Sequence, residues 1–192
     1  MRVKICGITR AVDARHAERA GASAIGVILF SDSPRCVSPE KAREIFGSVG
    51  PFTTTVAVTH TGSREDLEAI IALHPGAIQI SHSFVFPEKP LAKVIRVVKP
   101  GDPLRDDCDA IVVDGSMGTG SLYDSGYARD AVWGARVPVI LAGGLTPENV
   151  GEAIRSVRPY AVDVASGVEL RPGIKDPVRV TAFIGAAREA LP

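Results

Sequence analysis

The sequence predicts a compact (β/α)8 TIM barrel that forms a single domain over residues 1–192. Short apolar runs recur eight times along the chain, and helix-sized segments without hairpin signals separate most of them. This alternation is typical of a parallel sheet, and eight strands favour a closed barrel over an open doubly wound sheet. A chain of 192 residues is long enough for one well-packed domain and short for two.

The strand predictions rest on apolar, β-branched runs. The second run, residues 24–29, is apolar throughout, as expected of a strand that is covered on both faces. The predicted strands span residues 3–6, 24–29, 53–59, 77–81, 94–98, 110–114, 137–141 and 160–165.

Helix signals lie between most of these strands. Gly21 ends the first helix, Ser38 caps a second helix that has Pro39 at its first position, and Ser63 begins a third with Asp66 placed for a capping box. The predicted helices span residues 12–20, 63–74, 126–133, 147–157 and 177–191, with a further helix beginning at residue 39.

The chain is short for this fold, since about 200 residues is its lower limit. Only about a dozen residues, including Pro87 and Pro90, separate the fourth strand from the fifth. The segment 100–103, Pro-Gly-Asp-Pro, leaves room for barely one helical turn before the sixth strand. We therefore expect helices 4 and 5 to be shortened or missing.

Composition excludes several classes of protein. The 22 basic residues balance the 22 acidic ones, which argues against a nucleic-acid partner. No run of 18 apolar residues is present, so no membrane span is expected. Three cysteines without CxxC spacing suggest neither a disulfide framework nor a zinc site. We expect a cytoplasmic protein with reduced thiols and no metal.

In barrels of this type the active site lies at the C-terminal ends of the strands. The paired glycines after strand seven and the Ser-Gly turn after strand eight would let backbone N–H groups approach an anion, and they favour a phosphate site over ordinary tight turns. The polar and small residues at the strand ends are Cys6, Arg35, Gln79, Ser81, Asp114, Gly143, Gly144, Ser166 and Gly167. This set suits an anionic small molecule.

Three of these side chains each allow a structural and a functional interpretation. Cys6 shares a strand face with Lys4, and on its own it is more typical of a buried structural cysteine than of a catalytic one. Asp114 is either a turn residue or the acidic partner of a thiol across the barrel mouth. Arg35 is either a solvated cation or a bidentate ligand for a substrate carboxylate. The four histidines lack triad or metal partners and are interpreted as surface or satisfied residues.

Motifs along the whole chain resemble the phosphoribosylanthranilate isomerase family of tryptophan biosynthesis. They are KICGIT at 4–9, SPR at 33–35 with VSP at 37–39, VD at 113–114 with GTG at 118–120, GGLTPENV at 143–150, VDVASGVE at 162–169 and PGIKD at 172–176. The resemblance implies an intramolecular oxidoreductase, an aldose–ketose isomerase that catalyses an Amadori rearrangement of N-(5-phosphoribosyl)anthranilate. Neither cofactor nor metal is implied, and the sequence leaves the choice between a monomer and a homodimer open.

The resemblance also implies roles for the candidate residues. Asp114 would be the general acid that protonates the furanose ring oxygen, and Cys6 the general base, with Lys4 as the candidate charge that assists it. Arg35 would hold the anthranilate carboxylate. The expected substrate-binding residues are Arg35, Gln79, Gly143, Gly144, Asp163, Ser166 and Gly167, those in the loops after strands seven and eight binding phosphate.

The sequence departs from the family pattern at three places. His82 lies one residue beyond the usual histidine position and is expected on the opposite strand face, Ser121 replaces a lysine, and Ala165 replaces a serine. The departures suggest a divergent member and leave open whether its substrate scope is altered. Two alternative functions remain open: a histidine-pathway isomerase, which would use paired aspartates, and a barrel that binds a phosphorylated ligand without catalysis.

Overall fold

A computed structural model describes residues 1–86, 90–114 and 124–190, and it contains a closed parallel barrel. Neighbouring strands pair in sequence order, and β1 closes the barrel against β8. The strands are β1 (Arg2–Ile5), β2 (Ala24–Leu29), β3 (Thr54–Thr59), β4 (Ala77–Ile80), β5 (Lys93–Val98), β6 (Ala110–Asp114), β7 (Val139–Ala142) and β8 (Ala161–Val164). The predicted fold class is confirmed. The predicted glycine-rich loop, residues 115–120, lies outside the described residues.

The helices surround the barrel with the predicted caps. Gly21 ends the first helix with φ 100°, the Ser38 side chain accepts from the N–H of Lys41, and the Ser63 side chain accepts from that of Asp66. The helices are α1 (Ala11–Ala20), α2 (Pro39–Phe46), α3 (Arg64–Ile71), α4 (Ser125–Gly134), α5 (Val150–Val157) and α6 (Pro177–Glu189).

The two short connections lack helices in the part of the chain that the structure describes, as predicted. Arg96 on the outer face of β5 is buried and donates to the carbonyl oxygen of Phe84 at 2.8 Å. Its guanidinium also pairs with Asp107 at 3.0 Å. An irregular segment held by a buried arginine therefore lies over β5 in place of the helix of a full (β/α)8 unit. Within the described ranges, no helix is long and apolar enough to span a membrane.

Side chains alternate between the barrel interior and the layer under the helices. On β1, Val3 and Ile5 pack in the outer layer, whereas Cys6 belongs to the interior cluster. Lys4 shares that interior face, because its amine reaches Asp163 on β8. The predicted partition of the first strand is confirmed. The interior is thus apolar at its base and becomes polar towards the C-terminal ends.

An antiparallel hairpin after β8 was not predicted. After β8, a 3₁₀ turn (Ser166–Val168) leads into an antiparallel hairpin of β9 (Glu169–Arg171) and β10 (Ile174–Lys175). The expectation of no antiparallel hairpin was wrong here, because the strands have three and two residues and are too short to produce a periodic pattern. Gly173, with φ 80°, provides the left-handed residue that the turn requires.

Candidate active site

The C-terminal mouth of the barrel contains a cavity of about 460 Å³. Most of the residues predicted from the sequence line it, since they occupy the inward-facing positions at the ends of their strands or the following loops. The predicted residues in its wall are Cys6, Arg35, Gln79, Ser81, Asp114, Gly143, Gly144, Asp163 and Ser166. Gly167 is not in the wall. Its carbonyl oxygen instead accepts a hydrogen bond from Arg179 at 2.9 Å.

The Cys6 thiol lies in a tight, buried position at the base of the cavity. Gly26 on β2 leaves space for it, since a Cβ at that position would lie 2.8 Å from Sγ and 3.0 Å from Cε of Lys4. Burial raises the pKa of Cys6 above its usual value. The charge of Lys4 opposes this rise and that of Asp163 adds to it. The predicted help from Lys4 therefore acts on the thiol but does not overcome burial.

Lys4 and Asp163 form a buried ion pair in the layer below Cys6. The distance from Nζ to Oδ2 is 2.8 Å, and both side chains are less than a tenth exposed. Their Cα atoms are direct partners across the β1–β8 pairing. The carboxylate raises the pKa of Lys4, although burial alone would lower it. Lys4 therefore stays protonated, and the pair as a whole carries no net charge.

Arg35 reaches the cavity from the loop after β2. Its side chain crosses Gly7, where an added Cβ would lie 2.6 Å from Cδ of Arg35. Nε and Nη2 donate to the carboxylate of Glu169 at 2.9 and 2.7 Å. Because Glu169 occupies the edge formed by Nε and Nη2, Arg35 can offer a substrate carboxylate the two N–H groups of Nη1 and the second N–H of Nη2.

Glu169 also binds Lys175, whose side chain is only 1% exposed. Nζ of Lys175 lies 2.8 Å from Oε1 of Glu169 and 3.0 Å from the carbonyl oxygen of Ala165. Sequence reasoning gave neither residue a role. Both belong to motifs that carried the resemblance, and a Glu and a Lys on either side of a Pro-Gly turn were the available signal.

Asp114 stands at the end of β6, where its strand pairs with Ala142, and its side chain lines the same cavity as Cys6. Its charge acts on two neighbours. Burial raises the pKa of Asp163 and the charge of Asp114 adds to that rise, whereas burial lowers the pKa of His60 and the charge of Asp114 opposes that lowering. Two predicted catalytic groups thus share one cavity with a buried carboxylate between their strands.

The histidine interpretation is confirmed for His60, a satisfied residue in the cavity wall whose Nδ1 lies 2.8 Å from Oγ of Ser31. His82 is exposed beside Gly62 and does not line the cavity, whereas Ser81 does. The predicted displacement of His82 to the other face is confirmed.

The two glycine-containing loops pack against each other at the mouth. Gly143 and Gly144 have φ values of 99° and 62°, in the left-handed region that favours glycine. A Cβ on Gly167 would overlap the carbonyl oxygen of Leu145. The glycines therefore set both the shape of the first loop and its close approach to the second.

Three buried oxygens in the cavity wall have no hydrogen-bond partner: Oε1 of Gln79, Oγ of Ser81 and Oδ1 of Asp163. Such atoms are costly when left unpaired, so they mark positions where a bound polyhydroxylated molecule would be stabilised. Among the described residues, no group of three or more His, Cys, Asp or Glu side chains could hold a metal ion.

A family model described as N-(5'-phosphoribosyl)anthranilate (PRA) isomerase matches residues 3–186. The chain belongs to the phosphoribosylanthranilate isomerase family. A curated N-(5'-phosphoribosyl)anthranilate isomerase from Methanoregula boonei is 60% identical over 99% of this chain and 98% of its own length.

Solved structures of this isomerase family share the fold. The Thermus thermophilus enzyme is 35% identical, with a TM-score of 0.85 over 98% of this chain and 99% of its own. Another isomerase structure, 32% identical with a TM-score of 0.79, covers 98% of this chain and 99% of its own. It is a complex with reduced 1-(o-carboxyphenylamino)-1-deoxyribulose 5-phosphate. The family's activity is the isomerisation of phosphoribosylanthranilate.

Proposed function

We propose that this chain converts N-(5'-phosphoribosyl)anthranilate into 1-(2-carboxyphenylamino)-1-deoxyribulose 5-phosphate in tryptophan biosynthesis, with Asp114 as general acid and Cys6 as general base. Membership of the isomerase family supports the reaction. The observation that carries the assignment of residues is that the thiol and the carboxylate line a single cavity at the C-terminal mouth, where barrel enzymes hold their active sites.

The reaction divides into two proton transfers. Asp114 donates a proton to the furanose ring oxygen as the bond from C1′ to that oxygen breaks, and the nitrogen lone pair forms a Schiff base. Cys6 then removes the proton from C2′, and the C–H electrons form a C1′–C2′ double bond while the imine electrons return to nitrogen. The resulting enol tautomerises to the ketone by protonation at C1′. Carbon C2′ is oxidised and C1′ reduced within one molecule, so the chemistry balances without an external oxidant or reductant.

Cys6 must lose its proton before it can act as a base. Because burial raises the pKa of the thiol, the active form is the minority at neutral pH, and kcat/KM should rise with pH until the thiol is ionised. The positive charges of Lys4 and Lys175 favour the thiolate.

In this proposal, the remaining predicted residues bind the substrate. Nη1 of Arg35 would donate to the anthranilate carboxylate, and the unpaired oxygens of Gln79 and Asp163 would accept from sugar hydroxyl groups. Gly143, Gly144 and Ser166 line the cavity and would hold the phosphate, with Gly167 supporting the second loop.

The polar groups of the cavity wall suit a small phosphorylated substrate, and we propose that the chain binds it as a monomer or homodimer, without nucleic acid or membrane. The three cysteines are free, which is consistent with a cytoplasmic location. Growth rescue of a tryptophan auxotroph that lacks this step would test the pathway assignment.

The direct test is an assay of purified protein with phosphoribosylanthranilate under reducing conditions. We expect Cys6→Ala and Asp114→Asn each to lower kcat/KM by about 10² to 10⁴-fold, the usual contribution of a general acid or base, with an unchanged circular dichroism spectrum. Cys108→Ala, which removes a thiol away from the cavity wall, is the matched control. Lack of turnover by the unmodified protein would contradict the reaction, and substantial activity in either variant would contradict the role assigned to that residue.

A further inference from the structure

We propose that Lys175 is a positioning residue for this reaction: it fixes Arg35 through Glu169 and supplies the excess positive charge beside the Cys6 thiol. The inference rests on the proposed roles of Cys6 and Arg35. It concerns a buried charged group that takes part in neither proton transfer.

Lys175 is held by elements on both sides of the barrel closure. Its ammonium group lies 2.8 Å from Oε1 of Glu169 on the neighbouring hairpin strand and 3.0 Å from the carbonyl oxygen of Ala165 at the end of β8. Its own backbone N–H points to Oδ2 of Asp13 on α1 at 3.4 Å. With a side chain 1% exposed, the ammonium group has little freedom to move.

Glu169 transmits this constraint to Arg35. Its carboxylate accepts from Nε and Nη2 of Arg35, from Nζ of Lys175 and from the N–H of Gly173 at 3.1 Å. Burial alone would raise the pKa of Glu169, but the hydrogen bond from Arg35 and the charge of Lys175 lower it below its usual range. The carboxylate is therefore ionised and held from two sides, which fixes the direction of the Arg35 guanidinium.

The charges around Cys6 do not cancel. The thiol is influenced by Lys4 on the same strand, Asp163 on β8, Lys175 on the hairpin and Arg35 on the loop after β2. Lys4 and Asp163 neutralise each other as an ion pair. By contrast, Arg35 and Lys175 share the single carboxylate of Glu169, so their cluster keeps one positive charge while Lys175 is protonated. Burial lowers the pKa of Lys175, and the charge of Glu169 opposes that lowering.

Removal of Lys175 would make that cluster neutral. The remaining pair, Arg35 with Glu169, would resemble the pair of Lys4 with Asp163, and the thiolate would lose the excess charge that stabilises it. Glu169 would also lose one of its two cationic partners. The two effects are separable, since the first changes the ionisation of Cys6 and the second changes substrate binding by Arg35.

The experiment measures the rate of alkylation of Cys6 by iodoacetamide as a function of pH, in a Cys36→Ser/Cys108→Ser background. In Lys175→Met we expect the midpoint of the thiol titration to move up by about one pH unit and KM for phosphoribosylanthranilate to rise. In Lys175→Met/Glu169→Gln the cluster again carries one positive charge, so the midpoint should return towards the parent value while KM stays raised.

An unchanged midpoint in Lys175→Met would overturn the charge role, and an unchanged KM would overturn the positioning role. If Lys175→Met does not fold, the midpoints of Glu169→Gln and the double variant are compared, since they differ only at Lys175. Their equality would overturn the charge role, and a higher midpoint in the double variant would support it. Alkylation requires no substrate, so absence of turnover contradicts the proposed function without affecting this titration.

Discussion

The two sides of the barrel mouth are built differently. On the side of β8, β1 and β2, the buried charges of Lys4, Asp163, Arg35 and Glu169 are joined in ion pairs. On the side of β4 and β5, the oxygens of two wall residues are buried without partners, and the described connections lack helices. The difference indicates that the first side is preorganised before substrate arrives, whereas the second is completed by what binds there.

Physical cost explains why the two sides differ. A buried charge without a partner is strongly destabilising, so the charged side must be paired in the empty enzyme. A buried neutral oxygen costs only about 1–3 kcal/mol when unpaired, which a stable domain can tolerate. The neutral side therefore keeps acceptors of residues that form no ion pair, whereas the unpaired acceptor on the charged side, Oδ1 of Asp163, belongs to a carboxylate whose other oxygen is paired with Lys4.

The largest effect is expected at Gly26, on the preorganised side. An added methyl group would overlap Sγ of Cys6 and press on Cε of Lys4, so Gly26→Ala should displace the base and lower kcat/KM by about 10²-fold or more, as small misplacements of catalytic groups do. The measurement is steady-state kinetics with substrate.

Gly185 on α6 provides the matched control for Gly26→Ala, because no atom lies within 4 Å of a Cβ placed there. Gly185→Ala should leave kcat/KM unchanged and stabilise the helix by up to about 1 kcal/mol. Near-normal turnover in Gly26→Ala would show that Cys6 tolerates displacement. The side of β8, β1 and β2 would then not be preorganised, contrary to the comparison above.

An intermediate effect is expected at Gln79, on the β4–β5 side of the mouth. Gln79→Leu removes a buried oxygen that has no partner, so the free energy of unfolding should increase by about 1 kcal/mol. The same change should raise KM by about tenfold, since one hydrogen bond to substrate is lost. Chemical denaturation and kinetics measure the two quantities. A loss of stability would indicate that Gln79 supports the empty barrel, as Lys4 does.

The smallest effect is expected at Leu91, in the connection before β5. This side chain is fully exposed, so Leu91→Ser should change the free energy of unfolding by less than about 0.5 kcal/mol and leave kcat/KM unaltered. Sedimentation of both proteins provides the control for self-association. A change in apparent mass would mean that a second copy covers this connection, and the β4–β5 side would then be completed by protein as well as by substrate.

Local sequence patterns predicted the features that depend on neighbouring residues. Strand alternation predicted that Lys4 and Cys6 share one face, which is the inner face in the structure. The segment 100–103 predicted that the helix before the sixth strand is shortened or missing. These predictions succeed because side-chain direction and helix length follow from a few adjacent residues.

The ion-pair network could not be predicted in the same way. Arg35 and Glu169 are 134 residues apart, and no periodic signal connects them. Lys4 was expected to activate the thiol by proximity alone, whereas the fold pairs it with Asp163 and leaves the excess charge with Lys175. Which charges cancel is decided by barrel closure, and that information is absent from any single motif.

The connections on either side of β5 in which no helix is described are also shorter, and this lowers the entropy cost of closing them. Residues 81–92, twelve in number, join β4 to β5, whereas the twenty-four residues 30–53 join β2 to β3. Halving a loop reduces the entropy lost on closure by about 0.6 kcal/mol, which offsets part of the helix packing that is absent. Contacts among β4, β5 and β6 also have low sequence separation, which favours their early pairing during folding. Mutational φ-values in β5 and β8 would report that order.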